Sequence, residues 1–301
     1  MKLASFKINE EERFGAVKET GKTMWNLAAL EQDYDGMNIL PGSLLRVIQG
    51  GQGAMSRLTE LIHFGNAHED PARFLYDWKD IALLSPITKP EKNIMCVGKN
   101  YREHAIEMGS EADIPEHIMI FTKAPTSVTG SSAVIDSHSA LTSQLDYEGE
   151  LAVIIGKKGI NIPEEEALAY VFGYTILNDI TARDLQKKHK QFFLGKSLDT
   201  TCPIGPCIVT ADEIQNPEAL TITTSVNGEV RQEAPVSDMI FSIERIIAEL
   251  SAGMTLEPGD IIATGTPSGV GKGFKPPRFL KAGDSIEISI DSIGRLINTI
   301  G

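Results

Sequence analysis

The sequence contains little cysteine: Cys96, Cys202 and Cys207 are the three cysteines in 301 residues. Their number is odd, and no two of them stand in a C-x-x-C spacing. Both observations argue against a disulfide framework and against a structural zinc site. We therefore expect three buried or half-buried thiols in a cytoplasmic protein.

Long apolar runs are also missing. No stretch of about 18 uninterrupted apolar residues occurs, so the sequence predicts no membrane-spanning helix. The opening segment MKLASFKINEEERF contains acidic residues and no continuous apolar core, which is not the pattern of a signal peptide. A cytoplasmic location is the expectation that follows.

Basic residues are fewer than acidic ones. The chain carries 28 lysines and arginines against 41 aspartates and glutamates, a net charge of -13. Such a charge repels nucleic acid and anionic membrane surfaces, and we expect neither as a partner. A small anionic substrate stays possible, because a bound metal ion can reverse the local field.

The chain divides into a small N-terminal α/β domain, residues 1–85, and a larger domain, residues 86–301, which begins at a proline-containing segment. In the first part the patterns predict strands near 3–8 and 13–18, a short helix opened by Pro41-Gly42-Ser43, and a helix from Ala54 to Phe64.

The second part is predicted to be mostly strand. Asn227-Gly228 between two strand-like runs is typical of a β-hairpin, and Ile286, Ile288 and Ile290 alternate with polar residues. Helices are predicted from Pro163 to Gly173 and from Ser242 to Gly253. The predicted class is α+β, mainly β.

Three carboxylates stand out. Glu148 and Glu150 enter an apolar strand at positions i and i+2, so their side chains share one face and repel each other unless a cation lies between them. Asp179 follows a second strand-like run and is available as a third acid. A divalent cation such as Mg²⁺ or Mn²⁺ suits three such oxygen ligands, although E-x-E pairs on exposed strands are also common without one.

Two familiar catalytic motifs are absent. The glycine-rich run at 265–273 has Thr266 where a phosphate-binding loop needs its first glycine, and Gly273 follows its lysine. No G-x-S-x-G nucleophile elbow occurs, which argues against a serine hydrolase of that type.

Four motifs taken together resemble the fumarylacetoacetate hydrolase family. They occur in the order typical of the family: GKNYREH at 98–104, DYEGEL at 146–151, NDITARD at 178–184 and GTPSGVG at 265–271. The whole chain is most similar to the YisK-type branch of the family, which is itself similar to oxaloacetate decarboxylases.

The resemblance implies a mixed β-roll catalytic domain, usually dimeric, preceded by a small N-terminal domain. It also implies Mg²⁺ or Mn²⁺ bound by Glu148, Glu150 and Asp179. Some members have a fourth acid in the strand before the Asn-Tyr motif. This chain has IMCVG at 94–98 instead, so we expect three protein carboxylates.

The same resemblance implies roles for other side chains. His104 and Glu107 would form an acid–base dyad on a lid, and their i, i+3 spacing places them side by side on a helical turn. Lys196 would stabilise an enolate or oxyanion. Arg183 and Gln186 would bind substrate or brace the metal ligands, although Arg183 equally suits a structural pairing with Asp184. Thr266 would contact the substrate carboxylate.

The function implied is a divalent-metal-dependent enzyme acting on small 2-oxo acids. Decarboxylation of oxaloacetate to pyruvate through a metal-stabilised enolate is the first expectation. The alternatives are an acylpyruvate or fumarylacetoacetate-type C–C hydrolase and a 5-carboxymethyl-2-hydroxymuconate-type isomerase, since ketonisation proceeds through the same enolate. A metal- and ligand-binding interaction protein is the non-enzymatic alternative.

Overall fold

The computed structural model describes residues 1–18 and 23–301. The described part combines β-sheets with helices, and the α+β class predicted from the sequence is confirmed. Within these residues no helix is both long enough and apolar enough to cross a membrane.

The strands follow one another along the whole described chain. They are β1 (Lys2–Ile8), β2 (Glu11–Ala16), β3 (Thr23–Trp25), β4 (Leu75–Asp77), β5 (Ala82–Leu83), β6 (Ile94–Gly98), β7 (Met119–Lys123), β8 (Val128–Thr129), β9 (Val134–Ile135), β10 (Leu145–Asp146), β11 (Gly149–Ile155), β12 (Val171–Asn178), β13 (Thr181–Ala182), β14 (Cys202–Thr210), β15 (Thr221–Val226), β16 (Glu229–Pro235), β17 (Ile261–Ala263), β18 (Ser285–Ile290) and β19 (Gly294–Ile300).

The α-helices are short, apart from one in the N-terminal part. They are α1 (Leu27–Tyr34), α2 (Leu44–Gln49), α3 (Gly51–Ala67), α4 (Arg102–Glu107), α5 (Arg183–His189), α6 (Phe193–Lys196) and α7 (Ile243–Ser251). The predicted helices at 54–64 and 242–253 are confirmed as α3 and α7, and Ser242 caps α7 by accepting a hydrogen bond from the Arg245 amide. The helix predicted from Pro163 is wrong in type, because Glu164–Tyr170 winds as 3₁₀ turns.

The larger sheet has its most buried strands at its centre. Its order is β2-β1-β14-β12-β11-β17-β6-β7, with β5 also pairing with β1 and β8 with β14. Every residue of β11 is buried. A strand covered on both faces needs apolar residues on both, which explains the continuous run LAVII at 151–155.

A second, five-stranded sheet has the order β16-β15-β18-β19-β9. The Asn227-Gly228 hairpin predicted from the sequence joins β15 to β16, and both turn residues have positive φ, 53° and 80°. The isoleucines of β18 point inward, as their alternation predicts.

The two faces of β11 contact two different cores. Leu151 and Val153 pack with the five-stranded sheet and α7, whereas Ala152 and Ile154 pack with the N-terminal helices. Strand β1 pairs with β14, so the N-terminal segment adds strands to the large sheet as well as helices to its face. The domain boundary between residues 85 and 86 stays a prediction.

Candidate active site

The antiparallel pairing of β11 and β12 brings the three predicted carboxylates together. Gly149, the first residue of β11, pairs with Asn178, the last residue of β12. Glu148 immediately precedes this pair on one strand and Asp179 immediately follows it on the other. The Asp179 amide donates to the Glu148 carbonyl at 2.8 Å, which holds the two chain segments in register.

Glu148, Glu150 and Asp179 form a buried cluster. One ligand oxygen from each lies within 4.8 Å of the others. Their relative exposures are 5%, 1% and 0%, so these carboxylates are not a solvated surface pair. Burying three like charges this closely requires positive charge between or around them.

Two buried lysines supply part of that charge. The Lys196 ammonium, on α6, donates to Glu148 Oε2 at 2.7 Å and to Asp179 Oδ2 at 2.6 Å. Burial alone would lower the pKa of Lys196, but the attraction of Asp179 and Glu148 outweighs it and raises this pKa to about 12. The Lys123 ammonium, on β7, lies 2.8 Å from Asp179 Oδ1 and donates to the Ile180 carbonyl.

Arg183 is engaged with carboxylates on two sides. Its Nε donates to Asp146 Oδ2 at 2.8 Å, and its Nη2 lies 2.7 Å from Glu148 Oε1. Arg183 therefore braces a predicted metal ligand, one of the two roles expected for it. The alternative pairing with Asp184 is wrong, because Asp184 accepts hydrogen bonds from the Thr142 hydroxyl and the Ser143 amide instead.

The cations affect Glu148 and Glu150 differently. Burial alone would raise the pKa of Glu148, but Lys196, Arg183 and His104 hold it well below its usual range. Within residues 1–18 and 23–301 the Glu150 carboxylate has no ion-pair partner, and the one hydrogen bond that it accepts comes from the Gly265 amide at 2.7 Å. Burial, followed by the neighbouring Asp179 and Glu148, raises the pKa of Glu150 well above its usual range.

This arrangement fits a divalent cation. The donor set consists only of carboxylate oxygens, which Mg²⁺ and Mn²⁺ prefer. Glu150 is the carboxylate without an ion-pair partner among the described residues. A cation placed next to Glu150 would therefore stabilise the cluster most. The three carboxylates that the sequence predicts as metal ligands, Glu148, Glu150 and Asp179, thus form a cluster that could hold a metal ion.

The predicted dyad is formed on α4. His104 Nδ1 lies 3.3 Å from Glu107 Oε2, and His104 is 5% exposed. An ionised carboxylate can only accept a hydrogen bond, so in the neutral imidazole this contact places the proton on Nδ1 and leaves a lone pair on Nε2. The Glu107 Oε1 atom accepts a hydrogen bond from the Gly269 amide, which ties α4 to the glycine-rich turn.

The glycine-rich turn at 265–273 is held to the carboxylate motif by Gln232, on β16. The Gln232 amide nitrogen donates to Thr266 Oγ1 and to the Pro267 carbonyl, both at 2.8 Å, and its oxygen accepts from the Gly149 amide at 3.0 Å. Thr266 Oγ1 in turn donates to the Gly149 carbonyl. Gly269 has φ +103°, and a Cβ there would clash with the Arg231 carbonyl.

A cavity of about 410 Å³ opens beside the cluster. Its walls include the predicted residues His104, Glu148, Glu150, Arg183, Gln186, Lys196 and Thr266. Asp179 lies behind Lys196 and Glu148 and does not line the cavity. A cavity of this volume is large enough for a small organic acid.

Residues 93–301 match the family model described as the fumarylacetoacetate (FAA) hydrolase C-terminal domain. The chain belongs to the fumarylacetoacetate hydrolase family. The family, the fold and the enzyme class predicted from the sequence are confirmed.

Similarity to individual family members extends over the full chain. The oxaloacetate tautomerase YisK of Bacillus subtilis is 55% identical, with 100% of each chain covered. A fumarylacetoacetate hydrolase structure from Exiguobacterium antarcticum is 43% identical with TM-score 0.81, covering 100% of this chain and 99% of that one. A 5-carboxymethyl-2-hydroxymuconate delta-isomerase structure from Mycobacterium smegmatis is 29% identical with TM-score 0.72 and the same coverage.

Three residues of this candidate site could not be identified from the sequence: Lys123, Asp146 and Gln232. Asp146 accepts from the Gly271 and Lys272 amides as well as from Arg183. A lysine and a glutamine within strand-like segments were available signals, because a polar residue inside a buried strand needs a partner. The partners themselves are distant in sequence and could not be assigned.

Proposed function

We propose that this chain is a divalent-metal-dependent enzyme that catalyses keto–enol tautomerisation of oxaloacetate. The observation that carries the proposal is one buried site in which His104, Lys196, Glu148 and Glu150 line the same cavity. Glu107 contacts His104, and Asp179 completes the carboxylate cluster beside Lys196. The 55% identity to an oxaloacetate tautomerase over the full length supports the choice of substrate.

Glu148, Glu150 and Asp179 would hold Mg²⁺ or Mn²⁺. When bound, such an ion supplies a Lewis acid that stabilises negative charge on the oxygens of a 2-oxo acid. The Lys196 ammonium, which donates to two of these carboxylates, stays protonated at neutral pH because its pKa is raised to about 12. Lys196 therefore adds a fixed positive charge where the substrate's 2-oxygen becomes negative.

Tautomerisation requires proton transfer, and no C–C bond is broken. Ketonisation removes the proton of the enol hydroxyl at C2 and adds a proton at C3. His104 Nε2 has the free lone pair for the first transfer, and the resulting imidazolium can return a proton to C3. Glu107 holds the ring through Nδ1 and stabilises the imidazolium by its charge.

Decarboxylation, the first expectation from the sequence, uses the same groups and is the second candidate. Breaking the C3–C4 bond releases CO₂ and leaves the enolate of pyruvate, which then needs a proton at C3. The same buried cations stabilise that enolate. We place tautomerisation first because of the tautomerase relative, and an assay separates the two reactions by their products.

The test follows enol disappearance and pyruvate formation in parallel, with enol-rich oxaloacetate and Mg²⁺ or Mn²⁺. A blank with metal and no protein is essential, because oxaloacetate reacts slowly in such solutions. We expect faster enol decay without extra pyruvate, and loss of this acceleration in Glu150→Gln and His104→Ala. Pyruvate above the blank would favour decarboxylation. If neither enol decay nor pyruvate formation exceeds the blank, the proposal is overturned.

Metal binding is tested without catalysis by thermal unfolding with added Mg²⁺ or Mn²⁺. A ligand at about 100 times its Kd stabilises the folded state by about 2.7 kcal/mol. We expect a rise in Tm for the wild type and little or none for Glu150→Gln, and the metal with the larger shift is the better fit. The cytoplasmic location stays a prediction. The homodimer also stays a prediction, and analytical ultracentrifugation would measure the oligomeric state.

A further inference from the structure

The cavity has an outer rim of positive charge that the mechanism above does not use. Three rim lysines, Lys187, Lys190 and Lys272, line the cavity. Lys99 also lines it but is paired with Asp113 at 3.2 Å. Within the part of the chain that the structure describes, the ammonium groups of the rim lysines have no hydrogen bond and no ion pair.

The rim lysines come from two separate segments. Lys187 lies on α5 and Lys190 directly follows that helix, whereas Lys272 belongs to the glycine-rich turn. Burial lowers the pKa of Lys272, and the positive charges of Arg183 and Lys187 lower it further, against a partial opposing effect of Asp146 and Glu148. Like charges from two segments thus lie close enough to affect each other in this cavity, in a chain whose net charge is -13.

Cations that line one cavity without an ion-pair partner are stabilised by an anion bound among them. A 2-oxo acid has one end, its carboxylate and oxo group, that suits the buried metal site. A 2-oxo dicarboxylate such as oxaloacetate has a second carboxylate beyond C3, which must point away from the cluster of Glu148, Glu150 and Asp179. The rim lysines are the positively charged groups of the cavity that are available to bind this second carboxylate.

We propose that Lys187, Lys190 and Lys272 bind the distal carboxylate of the substrate and so select 2-oxo dicarboxylic acids over monocarboxylic ones. This inference rests on the proposed function, because it places the 2-oxo acid end at the metal site. It adds the residues that distinguish oxaloacetate from an acid with the same reactive end and no second charge.

The experiment compares two probes in calorimetry with Mg²⁺ present. Pyruvate has the 2-oxo acid end alone, and 2-oxoglutarate has the same end and a second carboxylate. The variant Lys187→Met/Lys272→Met is compared with Lys188→Met/Lys281→Met, which changes net charge equally. Lys188 is on the same helix, and neither control lysine lines the cavity.

We expect the rim variant to weaken 2-oxoglutarate binding about tenfold, which is about 1.4 kcal/mol, and pyruvate binding less than about twofold. The KM for oxaloacetate should rise in parallel while kcat changes little. The control variant should leave both affinities unchanged. Equal weakening of both probes, or equal effects of the two variants, would overturn the inference, because the lysines would then act only through overall charge.

Failure of the carboxylate site and failure of the proposed tautomerase reaction give different results. If the wild type leaves the enol of oxaloacetate unchanged but binds 2-oxoglutarate with the expected lysine dependence, the tautomerase proposal fails and the carboxylate site stands. If enol decay is catalysed equally well by the rim variant at every substrate concentration, the tautomerase proposal stands and the carboxylate site fails.

Discussion

The Glu107 carboxylate joins two parts of the site that lie far apart in the sequence. One oxygen accepts a hydrogen bond from the Gly269 amide at 2.9 Å, and the other lies 3.3 Å from His104 Nδ1. The same side chain therefore orients the His104 imidazole and holds α4 against the glycine-rich turn. Substitutions can separate these two contributions.

Glu107→Gln should keep the contact between α4 and the glycine-rich turn and impair acid–base catalysis by His104. The glutamine oxygen can still accept from Gly269, but its NH₂ group cannot accept the proton of His104 Nδ1. We expect kcat to fall about 10²–10³-fold with KM nearly unchanged, since acid–base catalysis contributes effects of this size. Glu107→Ala should also raise KM, because the contact with the turn is lost. Full activity in the glutamine variant would contradict the role of the dyad.

Gln232 should matter for both stability and metal binding. Gln232→Ala leaves the buried Gly149 amide without its acceptor and removes the donor to Thr266. An unsatisfied buried polar group costs about 1–3 kcal/mol, so the free energy of unfolding in urea should fall by about that amount. Metal affinity, measured by calorimetry, should fall too. The exposed Gln215→Ala is the control, and an equal effect there would argue against the bridging role.

Gly149 lies where the motif leaves no room for a side chain. A Cβ at Gly149 would clash with Thr224 Oγ1, a buried atom without a hydrogen-bond partner among the described residues. Gly149→Ala should lower the free energy of unfolding by about 1–3 kcal/mol through overpacking. The double variant with Thr224→Ala should recover part of this loss, giving a coupling of about 1 kcal/mol or more in a double-mutant cycle. Strict additivity would contradict the clash.

The three thiols should be unreactive in the folded protein. Burial raises the pKa of Cys202 to about 12 and that of Cys207 to about 11, and it raises the pKa of Cys96 well above its usual range. Because the thiolate is the reactive form, a thiol reagent at pH 8 should label the native protein slowly. After unfolding in guanidinium, three equivalents should react quickly. Rapid labelling of the native protein would contradict the burial of these residues.

Much of the candidate site was predictable from short segments. The E-x-E spacing and the strand pattern around it place Glu148 and Glu150 on one face, because side chains alternate along a strand. His104 and Glu107 are neighbours because helical geometry brings i and i+3 together. The resemblance carried by the four motifs then implied functions for these local pairs, which stay predictions. The predicted helix after Pro163 is wrong because its acidic first turn suits 3₁₀ winding equally well.

The sequence by itself determined the family, the local pairs and the chemical type of the site. The tertiary structure alone decided which cations neutralise which carboxylates. Lys123 reaches Asp179 from β7, and Gln232 reaches Gly149 from the second sheet, so both contacts depend on how separate elements pack. The reason is physical: the pairing of buried charges is set by distance through the folded core, and the spacing of residues along the chain does not contain that distance.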